Sequence, residues 1–514
     1  MFDWEDSPSR FQLEQRAQKV AAQEAERLNI RERRQMVAEA LVAFREYKTQ
    51  LVYDTDVLTL IQEQGSIPFD VWMNAVLYGP DGYYTSGRCK INDGHFTTVV
   101  DDPTHVAAFY AAMREHLADQ EIDEKNGVDI LSVAPGGGDF ERHFSGMHRY
   151  LQLIHPELAL PSNTRLYSLD ISETNLRNDI EFSGRFSLTN LRYPYFAKDD
   201  VVDFFREDGP QEGPPFSVPI QVMKDMCSLY DCAGTIINES EYKEYYSLYI
   251  LPYLQSKIDD RTYNFLTDHP EYIVRLAPFF AQSITTPIAG SGFELPFGRN
   301  TLDVIFSNEF HDAHPSKVFV VNPETDDFEE LFVTYDAESQ KFVLEMRSID
   351  PAIKPMLTLK MAYVDEQDPA TSAGSLPLLR LPNQEQREYL VVNMPTVSYF
   401  VEIARALKSG GMIIEGDYVQ STEHEGKTSY NLEQIRTPAG DGYGWLLDHM
   451  DRYNPPWYDV TTDMNPGFLL WLAPALGLMP LLVENQSKFT NERAGRTHSW
   501  RFDDKFQVVA FVKK

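Results

Sequence analysis

Apolar and polar positions along this chain change texture at about residue 65. From residue 5 to about 62, Ala, Glu, Gln, Arg and Leu dominate, which predicts one helical stretch. Leu41, Val42, Phe44, Leu51 and Val52 supply its apolar faces, and Arg31 to Arg34 reads as a solvated charge cluster. Beyond Gly65 the pattern shortens. Gly65-Ser-Ile-Pro-Phe-Asp-Val-Trp-Met73 predicts an amphipathic helix capped by Ser66, with Pro68 in its first turn. Pro80-Asp81-Gly82 predicts a turn, and Asp93-Gly-His-Phe-Thr-Thr98 a glycine turn entering an extended piece.

Short apolar runs then predict buried parallel strands, the first over Val128–Val133 and the second over Leu166–Asp170. Leu302 to Glu309 is the clearest later strand, and Phe328–Thr334 with Lys341–Arg347 alternate as a β-hairpin would. Residues 397–408 predict a helix stopping at Lys408-Ser-Gly-Gly411, followed by a strand over Met412–Tyr418. A helix near 467–475 and a closing strand over Phe506–Val512 complete an α/β pattern with a parallel core. Residues 185–295 are hard to order and read as inserted material; Val222–Met226 is open between a short strand that brings Asp225 near a ligand and a plain turn carrying a carboxylate, which the pattern favours.

Composition narrows the functional classes. With 514 residues and 43% hydrophobic content, the chain folds around a large core. A net charge of −32 repels phosphate backbones and anionic membranes, which argues against nucleic acid as the main partner. Cys89, Cys227 and Cys232 make neither a disulfide framework nor a four-cysteine zinc site. No apolar run reaches about 18 residues, and the acidic start Met1-Phe-Asp-Trp-Glu-Asp6 resembles no leader, so the expectation is cytoplasmic.

The chemistry centres on Val128-Asp-Ile-Leu-Ser-Val-Ala-Pro-Gly-Gly-Gly-Asp-Phe140. Strand, glycine turn and helix in that order open a nucleotide-type site, because glycine admits a close ligand and the helix start offers free N–H groups. The spacing is not that of the dinucleotide fingerprint, which disfavours a nicotinamide enzyme. Asp170 ends the second strand, where a carboxylate accepts hydrogen bonds from ribose hydroxyls; it could equally cap a helix.

These residues resemble a class I S-adenosylmethionine-dependent methyltransferase, and more specifically the MidA family, whose mitochondrial members are arginine methyltransferases that assist complex I assembly. Gly65-Ser-Ile-Pro68 through Gly82-Tyr-Tyr84 is similar to that family's opening motif, and Gly94-His-Phe-Thr-Thr98 to its Gly-Asp-Phe-x-Thr. Ala134-Pro-Gly-Gly-Gly138 resembles its Gly-Pro-Gly-x-Gly, and Asn308-Glu-Phe-His-Asp-Ala-His-Pro315 its Asn-Glu-Phe-x-Asp-Ala-x-Pro. Asp417-Tyr418 and Asp459-Val-Thr-Thr462 resemble its two later motifs. Ser132 and Val392 stand where the family carries an acid, Ala134 replaces a glycine, and His95 an Asp.

The resemblance implies a Rossmann-like sheet in four parts. These are an N-terminal helical arm (1–64), a cap segment with the first half of the core (65–188), an inserted helical lobe (189–297), and the second half (298–514). It also implies S-adenosylmethionine as cofactor, touched by Phe96, Thr97, Ser132, Pro135, Gly136, Gly137, Gly138, Asp170, Ile171, Asp225, Met226 and Asn308.

A cationic nitrogen acceptor needs carboxylates to orient it. Glu309 and Asp312 are therefore expected on the acceptor side, with Asp417 and Tyr418 completing the pocket and His311 available as a general base. Asn308 and Asp312 could instead cap a following helix, on one face of which His311 and His314 would sit. Glu309, His311, Asp312 and His314 have the residue types of a metal site, but no metal is assigned to them. The acceptor is open between a protein side chain, a peptide and a small molecule, and the N-terminal helices allow self-association. A non-catalytic assembly protein keeping the fold is the alternative.

Overall fold

The computed structural model describes residues 10–48, 54–85, 103–118, 127–154 without Gly137, 164–171, 295–339, 341–367, 385–419, 427–436, 460–494 and 506–514, with shorter pieces at 51, 158–161, 201–202, 218–219, 285–289, 376–380 and 421–424 and isolated positions between 255 and 267. Phe96, Thr97, Gly137, Asp225, Met226 and Asp459 lie outside the described residues.

In chain order the described helices are α1 (Arg10–Tyr47), α2 (Val57–Gln64), α3 (Phe69–Tyr78), α4 (Pro103–Ala118), α5 (Asp139–Ile154), α6 (Lys354–Asp365), α7 (Met394–Ala406), α8 (Pro466–Leu472) and α9 (Gln486–Ala494). The strands of the two main sheets are β1 (Ile67–Pro68), β2 (Asp129–Val133), β3 (Arg165–Asp170), β4 (Thr285–Ala289), β5 (Leu302–Asn308), β6 (Lys317–Val321) and β7 (Phe328–Asp336). They continue with β8 (Lys341–Ser348), β9 (Leu378–Arg380), β10 (Gln386–Val392), β11 (Leu407–Tyr418), β12 (Leu478–Asn485) and β13 (Phe506–Lys513).

One sheet has seven strands in the order β12-β13-β11-β5-β2-β3-β4. The run from β11 to β4 is parallel, and β13 is antiparallel to both its neighbours. This is a Rossmann-like class I methyltransferase fold, with its reversal of strand order between β5 and β2. β2, β5 and the second half of β11 are buried on both faces, which is why they read as apolar runs. Successive residues serve opposite faces. Leu131, Val133, Ile305 and Ile413 enter the larger core, while Ile130, Val304, Phe306, Met412 and Ile414 enter a second core with Phe109, Phe140 and Phe489 of α4, α5 and α9.

The expected hairpin is present as β7 and β8, paired from Asp336 with Lys341 to Glu329 with Ser348. It belongs to a second, six-stranded sheet in which β1, β7, β6, β10 and β9 follow one another and β8 pairs with β7. Beyond the hairpin, no local pattern in the sequence announces this sheet. Thr285–Ala289, inside the stretch read as an inserted lobe, forms the parallel edge strand β4.

Several local expectations are corrected. The single helix over 5–62 is divided: α1 ends at Tyr47, and α2 starts afresh behind Asp56, whose carboxylate accepts from the Thr59 amide at 3.0 Å and its hydroxyl at 2.5 Å. Aspartate competes in this way with helical backbone and favours a cap. Ser66 caps nothing; Ile67 and Pro68 pair with β7 as strand, and α3 follows without a side-chain cap. The arginine cluster is not simply solvated. Arg33 donates to the Trp471 carbonyl at 3.0 Å, lies 4.6 Å from the centre of that indole ring and pairs with Glu366, while Arg34 donates to the Ala475 carbonyl.

The helix placed at 397–408 spans Met394–Ala406, with Asn393 as its cap, and Lys408-Ser-Gly-Gly411 lies in β11 where the register shifts. A Cβ at Gly411 would stand 2.9 Å from the Lys408 carbonyl, so the irregularity needs glycine. Among the described residues no helix is long and apolar enough to cross a membrane.

Candidate functional site

The carboxyl ends of β2, β3, β5 and β11 lie along one edge of the sheet, and β2 and β5 flank the point where strand order reverses. Open α/β sheets bind ligands at such a point. Beyond β2 the chain turns sharply. Ala134 has φ of 54°, Gly136 of 61° and Gly138 of 76°. A non-glycine residue in this left-handed region is strained, and such strain concentrates at functional sites. Ala134 is held there by donating its amide to the Leu169 carbonyl at 2.8 Å, and Gly138 closes the turn onto Pro135 at 3.1 Å before α5 begins at Asp139.

Asp170 ends β3, is buried and is followed by half-buried Ile171. Ser132 lies one residue short of the end of β2. Its hydroxyl is buried without a partner among the described residues, and strand alternation puts it on the face of the second core. Val392 closes β10 as a buried apolar residue, so no carboxylate stands there.

β5 ends at Asn308, and Glu309 departs from it with φ of 52°. The Glu309 amide donates to the Gly416 carbonyl of β11 at 2.8 Å, which fixes this second strained residue. Asn308 is 8% exposed; its Nδ2 donates to Glu309 Oε1 at 3.1 Å, and its Oδ1 has no partner among the described residues. A buried, unsatisfied carbonyl is costly in a folded protein and suits a ligand N–H. Gly416 makes room for this side chain. A Cβ there would stand 2.9 Å from Asn308 Oδ1 and 3.1 Å from the Phe506 ring. Gly416→Ala is expected to cost about 1–3 kcal/mol, read as a lower urea midpoint at unchanged slope.

No helix follows β5, so the helix-cap reading of Asn308 and Asp312 is corrected. Residues 309–316 form a turn leading into β6. Asp417 holds it: Oδ2 accepts the His311 amide at 2.8 Å and the Asp312 amide at 3.3 Å, while Oδ1 accepts the Tyr418 amide at 2.7 Å. The Asp312 carbonyl accepts from Thr462, and the Ala313 carbonyl accepts from Tyr78 of α3.

Asp417 is 0% exposed; burial, then the charge of Glu309, pushes its carboxyl well above the usual range. It is therefore a clamp beneath the turn rather than a wall of an acceptor pocket. Half-buried Tyr418 turns its ring to Phe506, 5.5 Å between centres, and packs on the second core.

His311 is also corrected. Its ring is 1% exposed, with Nδ1 3.2 Å from Thr396 Oγ1 and Nε2 3.2 Å from Glu415 Oε2, so it faces inward and offers no nitrogen to a bound acceptor. His314 turns to the same threonine, and the two rings do not converge on a common centre with Glu309 and Asp312. Burial pushes His314 well below its ordinary value.

Glu309 is half-buried. Glu415, Thr396 and Tyr399 also belong to this region and were not among the expected residues. Each lies within an apolar run where a lone polar residue has no distinguishing pattern; only the spacing of Glu415, two residues before Asp417, offered a signal.

No protein-family model and no curated relative matches the chain. Solved structures share its outline. An uncharacterized protein from Burkholderia thailandensis is 12% identical at a TM-score of 0.49, with 93% of each chain covered. A superfamily member from the same organism, bound to S-adenosyl-homocysteine, is 12% identical at a TM-score of 0.47, covering 93% of this chain and 94% of that one. The CcbJ methyltransferase from Streptomyces caelestis is 9% identical at a TM-score of 0.28, covering 80% of this chain and 96% of its own.

Proposed function

We propose that this protein is an S-adenosylmethionine-dependent methyltransferase, a divergent relative of the MidA family, acting on a cationic nitrogen such as a guanidinium. The observation that carries the reading is the juxtaposition, at the switch point of the sheet, of the Ala134–Gly138 turn with the strained Asn308–Glu309 pair. The six motifs that run through the chain in family order support it.

The residues present fit the cofactor. The positive φ angles of Gly136 and Gly138 open the backbone to close approach, Asp170 offers a carboxylate at the tip of the neighbouring strand, and Asn308 Oδ1 lacks a donor among the described residues. When bound, S-adenosylmethionine supplies an electrophilic methyl group on a sulfonium. Asp170 would hold the ribose, and the Pro135–Gly138 turn the methionine end. Ser132, Ile171, Phe96, Thr97, Gly137, Asp225 and Met226 belong to the same reading.

Methyl displacement asks the protein chiefly for alignment. Glu309 would orient the acceptor nitrogen and balance its charge, with Asp312 as a second carboxylate on the same turn. Asp417, by holding two amides of the turn, and His311, by anchoring it inward, act as positioning residues. Ser132 and buried Val392 favour a second reading, a non-catalytic interaction protein that keeps this fold.

Calorimetric titration with S-adenosylhomocysteine decides between an intact and a lost cofactor site. Micromolar binding is expected, at least tenfold weaker in Asp170→Ala, a difference of about 1.4 kcal/mol. Absence of binding to the wild-type protein would leave the interaction reading in its place.

A further inference from the structure

A connected set of buried polar groups lies beneath the turn that carries Glu309. Both histidines of the turn meet one hydroxyl, His311 Nδ1 at 3.2 Å and His314 Nδ1 at 2.8 Å from Thr396 Oγ1. His311 Nε2 lies 3.2 Å from Glu415 Oε2, and the other oxygen of that carboxylate accepts from the Tyr399 hydroxyl at 2.8 Å. All five residues are buried, and they join the turn to α7 and to β11.

The proton count restricts how such a chain can be wired. A hydroxyl donates once, and a neutral imidazole carries one N–H. If Glu415 accepts from His311, that ring carries its proton on Nε2, and its Nδ1 is an acceptor. Thr396 must then donate to His311, and its oxygen must accept from an Nδ1–H of His314. The opposite wiring needs a protonated Glu415, an Nδ1–H on His311 and a Thr396 hydroxyl donating to His314.

We propose that every donor in this chain points toward Glu415, and that the chain is the positioning element of the 309–314 turn, with Thr396 and Glu415 as positioning residues. The consequence for catalysis rests on the acceptor-side reading of Glu309 given above; the wiring does not. Tyr399 already donates to Glu415, and a carboxylate that accepts twice is the natural terminus of such a chain. Burial, then the charge of Glu415, holds the Tyr399 phenol well above its ordinary value, so it keeps its proton. Burial keeps His314 neutral with a single N–H. Burial also pushes the Glu415 carboxyl up, and its bonds from His311 and Tyr399 pull it back. Asn393, which caps α7, donates Nδ2 to the His311 carbonyl at 3.1 Å and adds a second tie between helix and turn.

Long-range proton–nitrogen NMR of the full chain, labelled on histidine and recorded at pH 8, tests the wiring. His311 is expected as the Nε2–H tautomer and His314 as the Nδ1–H tautomer. The reversed pair, or a doubly protonated His311, would overturn the proposal without any variant being needed. Thr396→Val is expected to abolish this pairing and to speed exchange of the His311 and Asp312 amides at least tenfold, with Thr396→Ser restoring both. Unchanged exchange in Thr396→Val would overturn the positioning role. Affinity for S-adenosylhomocysteine, measured on the same proteins, is expected to stay within twofold. Its absence in the wild type would sink the methyltransferase reading while leaving the tautomer result to decide the wiring.

Discussion

Replacing Glu433 by leucine is expected to cost about 3–5 kcal/mol of folding stability, the usual consequence of stranding one member of a buried ion pair. Lys360 on α6 is 2% exposed; its ammonium donates to Glu433 Oε1 and lies 4.2 Å from the centre of the Phe468 ring. Asn465 Nδ2 approaches the other carboxylate oxygen at 3.4 Å, and its Oδ1 caps α8 and accepts from Tyr363. Removing Glu433 leaves the ammonium desolvated and loosens the cap.

The pH dependence follows from the same pair. Burial lowers the Lys360 pKa, and the pairing with Glu433 opposes that shift. The folded state therefore holds the proton less tightly than the unfolded chain. The penalty is fully present below the depressed folded value and disappears above about 10.4, the ordinary lysine value. Without Glu433 the depression deepens, so the deficit should narrow as pH rises from 7 to 9.5. Chemical denaturation at both values measures it. The double variant Lys360→Met with Glu433→Leu should regain most of the loss, since a well-packed apolar pair often replaces a buried ion pair without penalty. A single variant as stable as wild type would show that the ammonium finds water or loses its proton at no cost.

Glu309→Gln is expected to lower methyl transfer to a guanidinium peptide by about 100-fold, or about 2.7 kcal/mol of transition-state stabilisation. Affinity for S-adenosylhomocysteine should be unchanged. The substitution keeps the shape that receives Asn308 Nδ2 and removes only the charge. Glu309 is also held at φ of 52°, which glycine tolerates better than any other residue. Glu309→Gly should therefore lose transfer as fully while its urea midpoint is at least that of the wild type. Equal activity in Glu309→Gln would remove this residue from the acceptor side and shift attention to Asp312.

The sequence by itself determined the frame of the site. Strands buried in a parallel sheet tend to be continuous apolar runs, so Val128–Val133, Leu166–Asp170 and Leu302–Glu309 were legible as strands of an α/β core, and the structure makes them neighbours. Glycine, with its distinct backbone freedom, marked the turn at 136–138, and the polar residues that end these strands marked the edge where a ligand sits. All of this is local information.

Only the tertiary structure decided which polar groups face inward. Lys317 looks like a surface residue, yet its ammonium is buried between Asp70 and Glu330 and lies 3.6 Å from the centre of the Tyr47 ring, joining α1, α3, β6 and β7. His311 looked like a base at a rim and is an anchor beneath it; Asp417 looked like a pocket wall and is a clamp. The second sheet was hidden because it joins β1, near residue 67, to β7, near 333, and its antiparallel pairs depend on partners far away in the chain. Whether a charge or a hydroxyl can be buried depends on the group that meets it, and that group is set by packing over hundreds of residues rather than by neighbours in sequence.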